Sequence, residues 1–225
     1  MCTIILKITP DGVWIGANRD ERVDRPWEMP AEYWPGIVAG RDVSGGGTWL
    51  GVNRHGVAAA VLNRTGTLGP APGKNSRGEL PLMALGETSA AAAVERLRGL
   101  DTGMYRSFNL VAADATGAFL LRGLEAGPPE VSVLAEGVTM ITSGEPNDAL
   151  LPRIARHLPK FAAAGFEDWG KLLGDGAGDW ERTLNIPERD GFGTVCSSLI
   201  ALPRSAPAKF WFAKAGKIFD FQPVA

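Results

Sequence analysis

Apolar stretches of strand length come in blocks along this chain, with helical stretches gathered between the blocks. That order restricts the fold more than any single motif does. "CTIILKIT" (2–9) and "GVWIGAN" (12–18) meet at Pro10-Asp11-Gly12, a tight-turn sequence, and read as a hairpin. Strands are predicted at 36–42, 47–53 and 56–63, the last two joined by a turn at Asn53-Arg54-His55-Gly56. Residues 23–35 and the polar stretch 64–78 read as loops that shape any pocket. Two helical segments follow: "ELPLMALGE" (79–87), then "TSAAAAVERLRG" (88–99), which has Thr88 or Ser89 as N-cap and Gly99 as its stop. A hairpin over 108–123 and strands at 130–135 and 138–142 come next. Two or three helices fill 147–186, one carrying apolar residues at 150, 151, 154, 158 and 161, and strands near 193–202, 208–213 and 217–221 close the chain. Runs of strands alternating with runs of helices predict an α+β layered sandwich, one domain over 1–225, rather than a doubly wound parallel sheet.

Composition excludes several function classes. The net charge is −2 and the Lys and Arg residues are mostly isolated, so no concentrated basic face is expected and no nucleic-acid partner. No apolar run approaches the ~20 residues of a membrane-spanning helix. "CTIILKI" is too short for a secretory h-region, and the only cysteines, Cys2 and Cys196, make no disulfide framework, so a cytoplasmic protein is expected. The only histidines, His55 and His157, lack metal-ligand spacing. "SGGGTWLG" (44–51) runs into a strand without GxGxxG spacing, "APGKNS" (71–76) lacks the first glycine of a phosphate loop, and no G-x-S-x-G is present. No metal or other cofactor is expected. Of seven tryptophans, Trp27, Trp34 and Trp49 lie near the other chemistry-bearing residues and are the candidates for pocket walls, with core packing as the alternative.

The remaining feature is a cysteine directly behind Met1, followed after the second strand by "NRDE" (18–21). Initiator methionine is trimmed most readily ahead of a small residue, and cysteine qualifies. Trimming would put a thiol and a free α-amine on one residue, a self-contained nucleophile whose amine, of pKa ~7.7–8.0, can accept the thiol proton near neutrality. Retention of Met1 would turn that amine into an amide and remove the base. In a hairpin, Cys2 falls opposite residues 17–20, which include Arg19 and Asp20. Arg19 would then stabilise the thiolate or grip a substrate carboxylate, and Asp20 would orient the α-ammonium. A strand start at Cys2 and a solvated turn at 19–22 is the other reading of the same residues.

The opening "MCTIILK…GANRDERVDRP" resembles the NRDE family, also called the transport and Golgi organisation 2 family. The likeness continues through "AGRD" (39–42), "GGTWLGVN" (46–53), "GVAAAVLNR" (56–64), "SRGEL" (76–80) and "FNLVAAD" (108–114), and returns weakly at "FGTVCSSLIAL" (192–202). That resemblance implies an N-terminal nucleophile hydrolase-like fold, a four-layer αββα sandwich of two antiparallel sheets. It also implies likeness to cysteine acylases of bile-salt and penicillin amides. By that likeness Cys2, Arg19, Asp20 and Asn63 are the candidate catalytic residues, Asn63 as oxyanion donor or, alternatively, as a polar cap on its strand. Asn18, Glu21, Trp49 and Asn147 are the candidate substrate-binding residues. Two departures from the related patterns stand out. Ser143 occupies the place of a loop asparagine, with Asn147 as a possible substitute. Val195 occupies a place where the family commonly has Arg, which weakens the case for an anionic substrate. Cys196 beside it reads as a core cysteine.

Two functions are therefore expected as alternatives. The first is a cysteine amidohydrolase that cleaves a non-peptide amide or a thioester of a small molecule. The second is a non-catalytic binding or trafficking protein of the same fold, for haem, a lipid or an acyl-CoA. Haem would draw its axial ligand from His55, His157 or Cys2.

Overall fold

In the computed structural model, residues 2–216 and 219–224 are described. The strands are β1 (Thr3–Thr9), β2 (Gly12–Arg22), β3 (Trp27–Trp34), β4 (Ile37–Asp42), β5 (Leu50–Asn53), β6 (Ala58–Asn63), β7 (Phe108–Asp114), β8 (Gly117–Gly123), β9 (Glu130–Val133), β10 (Gly137–Ile141), β11 (Phe192–Pro203), β12 (Lys209–Lys214) and β13 (Gln222–Pro223). The helices are α1 (Glu79–Leu85), α2 (Ala90–Leu97), α3 (Pro152–Ala163) and α4 (Trp169–Leu173).

The strands make two antiparallel sheets. One is ordered β10-β1-β2-β11-β12-β13; the other is an uninterrupted meander from β3 to β9. Period-two alternation explains how they stack. Ile4, Leu6 and Ile8 of β1 join Val13 and Ile15 of β2 against Leu50, Val52, Ala60 and Leu62 of the facing sheet. Ile5 points the other way and packs with Ile154 and Phe161 of α3 and Trp169 and Leu173 of α4. On the far face of the meander, Ala39, Ala59 and Leu110 meet Leu80 and Ala84 of α1 and Val94 and Leu97 of α2. The result is the α+β layered sandwich expected from the element order, in the four-layer αββα form that the family resemblance implies.

Local chemistry accounts for the boundaries. The β1–β2 turn is only Pro10-Asp11, and Gly12 leaves it at φ 147°, where a Cβ would lie 2.4 Å from the Leu202 carbonyl of β11. Ser89 caps α2, its hydroxyl accepting from the Ala92 N–H at 3.1 Å.

Several sequence expectations need correction. β2 does not stop at residue 18; pairing with β11 carries it through Arg22, so NRDE lies inside a strand rather than after one. Residues 27–34, expected as loop, form the edge strand β3, which tolerates Pro30 because an edge N–H needs no partner. β5 is shorter than the expected 47–53. α3 begins at Pro152, which leaves Leu150 fully in water instead of on its apolar face. The strand expected over 217–221 begins on residues 217–218, outside the described residues, and β13 lies beyond it.

Candidate functional site

Where β1 begins, the two sheets part around a cavity of about 330 Å³. Cys2, Arg19, Glu21, Trp49 and Asn63 line it. The alternation of β2 divides NRDE between two faces: Arg19 and Glu21 face this cavity, while the side chains of Asn18 and Asp20 turn towards the α3–α4 side.

Cys2 sits half-buried at the mouth of β1, and its thiol donates to the Asp20 carbonyl at 3.5 Å. Burial pushes the thiol pKa up and the Asp20 carboxylate adds to that shift, while a backbone hydrogen bond at Asp20 and the Arg19 guanidinium pull it down. Asp20 is held from two sides. The Thr194 hydroxyl of β11 donates to Oδ1 at 2.7 Å, and Arg153 Nη1 of α3 donates to Oδ2 at 3.1 Å and to the Thr3 hydroxyl at 3.2 Å.

Arg19 lies with its guanidinium 4.3 Å over the Trp49 ring, and its Nη2 donates to Asp42 Oδ2 at 2.7 Å. Asp42 also accepts two bonds from Arg25, at 2.8 and 3.1 Å, and one from the Gly45 N–H at 2.7 Å. Burial alone would raise the Asp42 pKa, but Arg25, the Gly45 amide and Arg19 together hold it below the usual carboxylate range. Arg19 Nη1 is buried without a hydrogen-bond partner among the described residues. Asn63 ends β6, and its side chain makes no hydrogen bond to any described residue.

Glycines let the cavity wall close. A Cβ on Gly47 would come within 2.3 Å of the Gly78 carbonyl, and the Thr48 N–H donates to that same oxygen at 2.9 Å. This contact joins "SGGG" to "SRGEL", so the glycine-rich stretch serves close backbone approach rather than phosphate binding.

Other expected residues lie elsewhere. Asn18 Nδ2 donates to the Leu173 and Leu184 carbonyls, both at 3.0 Å, and Asn18 adjoins only a void of about 20 Å³ behind the thiol. Asn147 accepts from the Met140 N–H at 2.7 Å and donates to the Val138 carbonyl, using its amide to finish the open edge of β10. Neither lines the cavity. Of the three candidate tryptophans only Trp49 does; Trp27 packs edge-on against it at 5.8 Å, and Trp34 packs against the α1–α2 layer. Val195 is a buried bulge residue of the inter-sheet core, and burial drives the Cys196 thiol pKa far up. His55 is in the β5–β6 turn beside Arg54, and His157 is buried in α3 with Nε2 2.7 Å from the Arg182 carbonyl. A larger cavity, of about 780 Å³, lies at the opposite ends of β6 and β11 around His55 and Leu202, with no cysteine in its lining. Arg25, Asp42, Lys74, Arg77 and Arg106 also line the site and were not singled out from the sequence. Asp42 and Arg77 did lie in the "AGRD" and "SRGEL" stretches.

The family model described as Transport and Golgi organisation 2 matches residues 1–172. A Transport and Golgi organization protein 2 homolog from Bos taurus is 34% identical over 129 residues, 51% of this chain and 45% of that protein. A Mus musculus homolog is 32% identical over 155 residues, 61% of this chain and 55% of that protein. The chain thus spans about half the length of the curated relatives it matches. Among solved structures, a mutant conjugated bile acid hydrolase from Clostridium perfringens superposes with a TM-score of 0.62 at 12% identity, covering 100% of this chain and 97% of that one. A Caenorhabditis elegans N-acylethanolamine-hydrolyzing acid amidase ortholog gives 0.61 at 11% identity, covering 89% and 92%. Penicillin V acylase from Agrobacterium tumefaciens gives 0.55 at 13% identity, covering 96% and 83%. At these identities the likeness shows a shared fold. No helix of the described residues is long and apolar enough to cross a membrane.

Proposed function

The chain belongs to the Transport and Golgi organisation 2 family, and from that premise we propose that it is a cysteine hydrolase cleaving a non-peptide amide, or a thioester, of a small molecule. The observation that carries this reading is the Cys2 thiol opening into a cavity that it shares with Arg19 and Asn63. With Met1 removed, the Cys2 α-amine takes the thiol proton and the thiolate attacks the substrate carbonyl. A C–S bond forms, and the carbonyl electron pair moves to oxygen, where the unpartnered Asn63 amide donates to it. Collapse breaks the C–N or C–S bond, and the leaving group takes its proton from the α-ammonium. Water, deprotonated by the same amine, then releases the acid from acyl-Cys2. Asp20, fixed by Thr194 and Arg153, orients the ammonium, and Arg19 favours the thiolate. The route uses no cofactor.

The structures it resembles support the reading through their fold, since they are an acid amidase, a penicillin acylase and a conjugated bile acid hydrolase. One observation favours the binding-protein alternative: burial raises the Cys2 thiol pKa, which disfavours a standing thiolate. The amine base answers that objection, because the thiol then needs to ionise only as it attacks. Intact-mass measurement with peptide mapping, after incubation with p-nitrophenyl acetate, tests the proposal. It predicts a single acetyl adduct on the peptide that begins at Cys2, transient in water and missing in Cys2→Ala. A protein that stays unmodified, or that is acetylated equally in Cys2→Ala, contradicts it.

A further inference from the structure

The same cavity carries more positive charge than its own carboxylates offset. Five cationic side chains, Arg19, Arg25, Lys74, Arg77 and Arg106, line it against two carboxylates, Glu21 and Asp42. Both carboxylates are already engaged by Arg19 and Arg25. Arg77 is bonded to neutral oxygens alone: the Thr67 hydroxyl at 3.0 Å and the carbonyls of Ser107 at 3.0 Å and Gly69 at 3.1 Å. Arg106 likewise donates to the Leu68 carbonyl at 2.7 Å and the Gly66 carbonyl at 2.9 Å. Neither guanidinium has an ion-pair partner among the described residues. Lys74 bonds the Gly103 carbonyl at 2.6 Å and stands 3.7 Å from Glu125. Burial, with Arg106 alongside, lowers the Arg77 pKa to about 10, and the more distant Cys2, Glu125 and Glu21 offset that only in part. Hydrogen bonds to carbonyls leave that full charge in place, and a guanidinium with five donors has capacity remaining.

We propose that the substrate of this site carries an anionic group, a carboxylate or a phosphate, which Arg77 and Arg106 hold while Cys2 reaches the scissile carbonyl. This inference rests on the nucleophile reading above. Val195 contributes no charge in the inter-sheet core, but the loop before α1 brings Lys74 and Arg77 to the cavity. If instead the two arginines only staple the 66–70 loop, their charge has no effect on what reaches the thiol.

Paired alkylation of the full chain separates these possibilities. Second-order rates at Cys2 are measured with iodoacetate and with iodoacetamide, which have similar size and differ in charge, and their ratio is divided by that of mercaptoethanol. Any change in thiolate fraction cancels in the ratio. The expected result is a preference for iodoacetate of about tenfold at low salt. It falls several-fold in Arg77→Gln and in Arg106→Gln, and collapses in ~1 M salt as the charges are screened. A ratio no higher than that of mercaptoethanol overturns the inference while a reactive Cys2 leaves the nucleophile reading standing. A preference that survives both substitutions overturns the assignment to these arginines. A Cys2 that reacts with neither reagent overturns the nucleophile reading and the inference with it. Should Arg77→Gln fail to fold, Arg106→Gln and the salt series on the unmodified sequence carry the same test.

Discussion

Arg153 of α3 donates to the Asp20 carboxylate of β2 across 3.1 Å, and both side chains are almost entirely out of water. The bond ties the outer helix layer to the strand that flanks Cys2. Taking away one member of a buried ion pair leaves the other desolvated with less compensation, which costs ~3–5 kcal/mol. Arg153→Met is therefore expected to lower unfolding stability by that amount, read from urea midpoints. Adding Asp20→Asn should recover part of the loss. A change under ~1 kcal/mol would show that the pair contributes little.

His157 supplies a pH-dependent term. Burial lowers its pKa, with Lys160 and Arg156 adding to that direction, against the Arg182 carbonyl and Asp175, which oppose it. The unfolded chain therefore takes up the proton at a higher pH than the folded chain does. Stability is fully present above the ordinary histidine pKa of ~6.5 and is lost as pH falls from there towards the depressed folded value. Denaturation midpoints measured from pH 7.5 down to pH 5 should decline, and His157→Gln should decline less over that window. Equal slopes in the two proteins contradict this assignment.

Asn63 separates oxyanion stabilisation from thiol reactivity. Acylation by p-nitrophenyl acetate passes through a tetrahedral oxyanion, whereas alkylation by iodoacetamide does not. Asn63→Ala is expected to slow acylation by ~10²–10³-fold while slowing alkylation of Cys2 far less. Stopped-flow release of nitrophenolate, run beside peptide-mapped alkylation, measures both. A parallel fall in the two rates would instead mark Asn63 as a residue that merely shapes its strand end.

The layered fold was legible in the sequence because runs of strands alternate with runs of helices, and its four layers were implied by the family resemblance. The runs of strands limit how the layers can connect, but within the contiguous apolar run Ile4-Ile5-Leu6 only the folded sheet divides the side chains between layers. The hairpin that sets Cys2 near Arg19 was legible too, since Pro10-Asp11-Gly12 admits little else. β3 was hidden because Pro30 and the charges of an edge strand read as loop. The extent of β2 was hidden because its last residues are polar and are held by pairing with β11, from Arg22 opposite Phe192 to Arg19 opposite Cys196, a partner far along the chain. The same long-range geometry explains the site. Arg153 carries no local mark of its role, and Arg77 and Arg106 acquire theirs only when the loop before α1 folds across the cavity. Asn147 shows the opposite failure: its residue type suited a ligand contact, but an open strand edge claimed its amide first.

The most direct test is peptide-mapped mass spectrometry of the purified protein after brief, limiting iodoacetamide at neutral pH. It reports the first residue of the mature chain and the order in which the two cysteines react. The account predicts an N-terminal peptide that begins at Cys2 and is alkylated well ahead of Cys196, whose thiol burial holds protonated. A chain that retains Met1, or a Cys2 no faster than Cys196, would contradict the amine-assisted nucleophile on which the proposed function stands.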